Sequence, residues 1–140
     1  MTDRELVQKA REAKSKAFAP YSEFQVGAAL LVSNGKVYTG SNIEVSGRST
    51  SVHAEMLAAF QAVHNGATKF EAMAISAGDD PSGDIAPCGL CQHTLSQFTD
   101  ELRILEDAGT EEPKEYWLSE LIGDGYSAST RHFDKISDTS

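Results

Sequence analysis

The spacing of apolar residues alternates between helical and extended along one short chain, and that alternation is what most limits the fold. From Asp3 to Phe18, the residues Leu6, Val7, Ala10, Ala13, Lys14 and Ala17 recur at helical spacing and predict an amphipathic helix stopped by Pro20-Tyr21. Gln25 to Ser33 is apolar or small, and Asn34-Gly35 predicts a two-residue hairpin turn, with Lys36 to Gly40 as the returning strand. Ser41 to Ser49 has no period and reads as a loop. Thr50 and Ser51 are N-cap candidates for a buried helix from His53 to His64, which Asn65-Gly66 ends. Phe70 to Ala77 reads as a central strand, Gly78 to Pro87 as a loop, Cys88 to Phe98 as a helix and Leu102 to Leu105 as a strand. Glu106 to Glu115 is polar and acidic, Trp117 to Ile122 suits a helical turn, and Phe18, Phe60 and Phe98 are expected in the core. The order helix, strand, strand, helix, strand, helix, strand describes an α/β sandwich around one mixed sheet.

A chain of 140 residues suits one domain. Residues 1–126 are expected to form it, with 127–140 as a frayed tail. The longest apolar runs, such as Val26 to Val32, are far shorter than the roughly 20 residues that a membrane helix needs. The N-terminus is charged throughout and offers no apolar segment for a signal peptide, so a cytoplasmic location and no membrane partner are expected. Twelve basic against 21 acidic residues give a net charge of −9, and the basic residues form no patch. Such a surface repels phosphates and argues against a nucleic-acid partner. The acidity suits solubility, or a high-salt cytoplasm in which molar KCl stabilises the fold by screening self-repulsion.

Chemistry concentrates in two short motifs. The only cysteines are Cys88 and Cys91, in Ala86-Pro87-Cys88-Gly89-Leu90-Cys91. Such a pair could be a disulfide, a redox couple or half of a metal site. At a helix start the spacing puts both sulfurs on one face, where the helix N-terminus favours thiolates. Ser51-Val52-His53-Ala54-Glu55-Met56 supplies a histidine at the start of another helix. Two thiolates and one imidazole leave the fourth position of a tetrahedral zinc open to water, as in catalytic sites. Glu55, two residues beyond His53, does not comfortably share the ion. It sits instead where it can take a proton from that water and pass it to a substrate. His64, His93 and His132 have no matching partners and read as surface or packing residues.

Joined, His-x-Glu and Pro-Cys-x-x-Cys form the signature of the zinc nucleobase deaminases. With Pro20-Tyr21-Ser22-Glu23-Phe24-Gln25-Val26-Gly27-Ala28-Ala29-Leu30-Leu31 and Gly40-Ser41-Asn42-Ile43-Glu44, the chain resembles the small cytidine deaminases from about Arg11 to Leu105. The resemblance implies a three-layer α/β/α sandwich with one mixed five-stranded sheet. It also implies one Zn2+ per subunit, a homotetramer and a small-molecule nucleoside substrate. By that likeness Phe24 would stack on the pyrimidine and Asn42 and Glu44 would bind ribose hydroxyls. Ala54 would offer its backbone to the base. Cytidine and 2'-deoxycytidine would lose ammonia to give uridine and 2'-deoxyuridine. A carboxylate and an amide suit a ribose diol, which both gives and accepts hydrogen bonds.

The chain departs from that family in places. Short members usually carry a third cysteine where this chain has His53 and an arginine where it has Met56. The two changes belong together: three thiolates on zinc leave a net negative core that a cation would offset, whereas two thiolates and a neutral imidazole leave none. Val45-Ser46-Gly47-Arg48 replaces the usual Asn-Ala-Ser-Tyr after the glutamate, and Gln92-His93 replaces Arg-Gln after the second cysteine. Arg48 could pair with a neighbouring acid or reach an anionic group. The competing readings are a relative acting on a modified cytosine nucleoside, blasticidin S or dCMP, and a non-enzymatic zinc-stabilised binding module.

Overall fold

A computed structural model describes residues 1–46, 51–67, 69–78, 89–110 and 112–122. Among them the chain forms α1 (Asp3–Lys14), β1 (Val26–Val32), β2 (Val37–Ser41), α2 (Ala54–His64), β3 (Phe70–Ala77), α3 (Gly89–Ser96), β4 (Arg103–Glu106), β5 (Lys114–Trp117) and α4 (Leu118–Ile122). The five strands make one sheet in the order β2-β1-β3-β4-β5, antiparallel throughout except for the β3–β4 pair. The expected mixed five-stranded sheet is therefore present.

Strand alternation assigns the two faces. Ala29, Ala72, Ala74 and Leu105 point to one side and meet Leu6, Val7 and Ala10 of α1. Ala28, Leu30, Met73, Ile75 and Ile104 point to the other and meet Ala54, Ala58, Ala59 and Ala62 of α2, Leu95 of α3 and Leu118 of α4. Helices cover both faces, so the sandwich has three layers. The small residues of α2 let it lie close on the sheet. A Cβ at Gly40 would stand 2.6 Å from the Ala58 nitrogen and would strike the Ala54 carbonyl. The β2–α2 packing thus fixes where the first turn of α2 sits.

Several sequence expectations change in detail. α1 ends at Lys14 rather than Phe18, because the Phe18 N–H leaves the helix to donate to the Asn42 carbonyl at 2.9 Å. The β1–β2 turn is not the two-residue form, which needs positive φ at both central residues. Here Gly35 has φ +88° while Asn34 keeps a negative φ. The Gly35 N–H donates to Val32 O at 3.0 Å and the Val32 N–H to Lys36 O at 3.1 Å, so three residues close the hairpin. The α2 N-cap is His53, without a side-chain cap bond, and not Thr50 or Ser51. The Ser51 hydroxyl instead serves the backbone of Val45. Phe18 and Phe60 are exposed, not core, because Phe18 lies on the excursion beyond α1 and Phe60 on the outer side of α2. Phe98 packs half-buried against Phe70 with ring centroids 6.0 Å apart. The expected tail, 127–140, lies outside the described residues, as do Cys88 and Arg48.

Candidate active site

The first turn of α2 and the first turn of α3 meet on the same face of the sheet. His53 caps α2, and its Nδ1 stands 3.2 Å from the Sγ of Cys91, the third residue of α3. Cys91 is wholly buried. Two ligands of a tetrahedral zinc, one nitrogen at about 2.0 Å and one sulfur at about 2.3 Å, stand roughly 3.5 Å apart. The observed pair fits that requirement, and a soft thiolate beside a neutral imidazole is the donor set zinc favours. Cys88, the third expected ligand, falls outside the described residues. Both helix starts point positive ends at this region, which favours the thiolate.

Glu55 occupies the first turn of α2 and is only 6% exposed. It lies on the helix's buried side with Ala54, Ala58, Ala59 and Ala62. Burying a carboxyl group is costly, so a residue that usually sits at the surface would not be expected there. Ala54, one residue earlier, is buried, and its N–H is one of the first-turn donors that a helix leaves unused by its own carbonyls.

A second group of residues lies beyond the end of α1. The chain from Ala17 to Gln25 is tied to the segment 42–44: Phe18 N–H donates to Asn42 O at 2.9 Å and Glu44 N–H to Phe18 O at 2.8 Å. Ile43 in turn exchanges two 3.0 Å backbone bonds with Val52, next to His53. This short ladder connects Phe24 and the His53–Cys91 pair through Asn42, Ile43 and Glu44.

Asn42 holds Phe24 in place. Its Nδ2 donates to the Phe24 carbonyl at 2.8 Å and its Oδ1 accepts the Val26 N–H at 2.8 Å. One amide hydrogen and one lone pair remain for a ligand. Glu44 Oε1 accepts the N–H groups of Tyr21 and Ser22 at 3.1 and 3.0 Å, and Oε2 accepts the Ser22 hydroxyl at 2.5 Å. The Ser22 hydroxyl and the Ser22 N–H, with the Tyr21 N–H, hold the Glu44 carboxyl below its ordinary range. Glu44 is thus an anion at neutral pH, already oriented and with acceptor capacity left.

Phe24 stands half-exposed beside a cleft of about 310 Å³ lined with it by Ala19, Glu23, Gln25 and Gly78. That volume is at the small end of ligand sites. Gly78 closes β3 with φ +64°, and a Cβ there would lie 2.7 Å from Phe24 Cε2. The ring therefore rests directly on bare backbone. Lys14 fixes that backbone from α1 by donating its Nζ to Gly78 O at 2.8 Å. Sequence reasoning singled out Phe24, Asn42 and Glu44 but missed Lys14, Ser22 and Gly78. Ser22 lay in the quoted motif, and a glycine directly after a buried strand was a signal for Gly78. A lysine at the apolar spacing of α1 was the signal for Lys14.

Residues 1–105 match the family described as the cytidine and deoxycytidylate deaminase zinc-binding region. The chain belongs to that family. It is 42% identical over 93 residues to a cytidine deaminase of Sporosarcina psychrophila, covering 66% of this chain and 67% of that one. It is 38% identical over 93 residues to a cytidine deaminase of Halalkalibacterium halodurans, covering 66% and 69%. Among solved structures, a cytidine deaminase from Burkholderia pseudomallei superposes with a TM-score of 0.81 at 33% identity, over 89% of this chain and 98% of that one. Among the described residues no helix is long and apolar enough to cross a membrane.

Proposed function

We propose that this protein hydrolytically deaminates cytidine and 2'-deoxycytidine to uridine and 2'-deoxyuridine, releasing ammonia. The observation that carries this reading is the 3.2 Å approach of His53 Nδ1 to Cys91 Sγ beside the buried Glu55. The names of the relatives support the same substrate.

In this reading His53, Cys88 and Cys91 hold one Zn2+ per subunit. When bound, the metal lowers the pKa of water toward about 7 and so makes a nucleophile available at neutral pH. Glu55 takes the proton released as the water attacks and delivers it to the base, acting in turn as general base and general acid. The face of Phe24 receives the pyrimidine, and the Ala54 backbone fixes its polar edge. Asn42 and Glu44 hold the ribose hydroxyls with the hydrogen-bonding capacity left after their contacts to the 21–26 segment. Glu55 is buried, and charge interactions at a buried group are stronger than in open water.

The protein acts in this reading as a cytoplasmic homotetramer serving pyrimidine salvage. Exposed Phe18, Tyr21, Ile43 and Val45 lie in and beside the 42–44 segment and support association through that side. Light scattering measures the mass of the assembly.

The test is turnover of cytidine, deoxycytidine, dCMP and blasticidin S side by side, with zinc quantified in the same samples. Cytidine and deoxycytidine are expected as the preferred substrates. A zinc-loaded protein that leaves cytidine untouched would overturn the substrate. One that leaves all four untouched would favour a binding module.

A further inference from the structure

We propose that Ser22 is a positioning residue of the nucleoside site, joining the Glu44 carboxylate to the Phe24 backbone so that the ribose-facing and base-facing groups keep one separation. The inference rests on the reading of Phe24 and Glu44 as nucleoside contacts.

Ser22 is exposed, so its hydroxyl had water available and no burial forces it inward. It nevertheless makes two bonds within the chain. It donates to Glu44 Oε2 at 2.5 Å and accepts the Phe24 N–H at 3.1 Å. A hydroxyl is suited to this relay because it donates and accepts at one atom, which alanine cannot do and threonine can. The bond to a carboxylate is of the stronger, charge-assisted kind.

The residue between these two contacts explains why a relay is needed. Glu23 has φ +58°, in the left-handed region that side chains other than glycine rarely adopt. A strained conformation persists only where its surroundings hold it, and such strain clusters at functional sites. Here the Glu23 N–H donates to Ala19 O at 3.0 Å, Glu44 grips Tyr21 and Ser22 before the kink, and the Ser22 hydroxyl grips Phe24 after it. Asn42 holds the Phe24 carbonyl from the far side. Among the described residues, the Ser22 hydroxyl is the atom that bonds both the Glu44 side chain and the Phe24 backbone. Without it, Phe24 loses its tie to the carboxylate while the zinc-ligand region, on other elements, is untouched.

The experiment compares zinc-loaded wild type, Ser22→Ala and Ser22→Thr in steady-state turnover of cytidine, and measures uridine binding to each by calorimetry. Loss of the relay weakens binding in ground and transition states alike. Ser22→Ala should therefore raise KM and the uridine Kd about tenfold, with kcat within about threefold and zinc content unchanged. Ser22→Thr should recover most of the loss. A double variant with Glu44→Gln should lose less than the two single variants added together. Active wild type with Ser22→Ala unchanged in KM and Kd would overturn the role of Ser22 alone. So would a fall in kcat and zinc with KM unmoved, or Ser22→Thr no better than Ser22→Ala. A wild type that neither turns over cytidine nor binds uridine would remove the substrate reading and this inference with it.

Discussion

Replacing Asp107 with asparagine should cost the fold about 2 kcal/mol at neutral pH, in a way that fades with acid. Asp107 follows β4, and its side chain is 2% exposed. Burial pushes its carboxyl up, but the Arg11 guanidinium, the Gly109 N–H and the Ser76 hydroxyl outweigh that and hold it at about 2, against an ordinary 3.8. Arg11 binds it through two bonds of 2.7 Å, Ser76 at 2.9 Å and Gly109 at 3.0 Å. A carboxyl whose folded pKa lies that far below its unfolded pKa favours folding by about 2 kcal/mol once both states are ionised. Because the folded pKa is depressed, the contribution is full above about pH 5. It falls as the unfolded chain begins to take up its proton near pH 4 and is mostly gone at pH 2. About half should remain at pH 3. Urea unfolding of wild type and Asp107→Asn at pH 7, 4 and 3 measures it, since other titrating groups cancel in the difference. The variant should be weaker by about 2 kcal/mol at pH 7, with a clearly smaller gap at pH 3. A gap under about 0.5 kcal/mol at pH 7, or one that does not change with pH, would refute the reasoning.

Glu55→Gln should keep its zinc while kcat falls by about a thousandfold, because the amide cannot carry the proton and all three ligands remain; metal analysis beside turnover checks both halves. Cys91→Ala should bind far less zinc than wild type and melt at a temperature that no longer rises when zinc is added, since ligation and folding are linked. Gly78→Ala should destabilise the fold by about 1–2 kcal/mol through its left-handed backbone, and should raise KM by displacing the Phe24 ring, both measurable on the purified variant.

Residues whose contacts are periodic or local were legible in the sequence. α1 and α2 show their buried faces at helical spacing, while β1 and β3, covered by helices on both faces, read as short continuous apolar runs. β5 did not show itself. Lys114, Glu115, Tyr116 and Trp117 lie at the sheet edge, with at most partial burial, so no alternation marks them. What makes them a strand is the ladder to β4 together with Arg103, which bonds Glu115 at 2.7 Å. Burial of a polar side chain by a distant partner was equally invisible: Asp107 lies 96 residues from Arg11, in a stretch that reads as acidic surface. The hairpin turn went astray for a smaller reason. Asn-Gly fits both a two-residue turn and the last two positions of a three-residue one, and the Val32–Lys36 bond selects the second.

The site divides along the same line. His53, Glu55 and Cys91 stood out in the sequence because the proposed metal ligands and proton carrier need particular residue types, and the fold brings His53 and Cys91 together. The platform around Phe24 was legible only in part, since it works through backbone. Asn42 and Glu44 can be read as polar groups awaiting a ribose, but in the fold each first holds the 21–26 segment. That double use follows from Phe24 itself. The Phe24 ring is half-exposed and rests on a bare glycine, so much of its positioning comes from the hydrogen bonds of its own main chain. The polar residues best placed to touch a nucleoside are therefore also the ones that set the height of the surface it would lie on. Removing either should shift binding by more than one lost contact to a hydroxyl would explain.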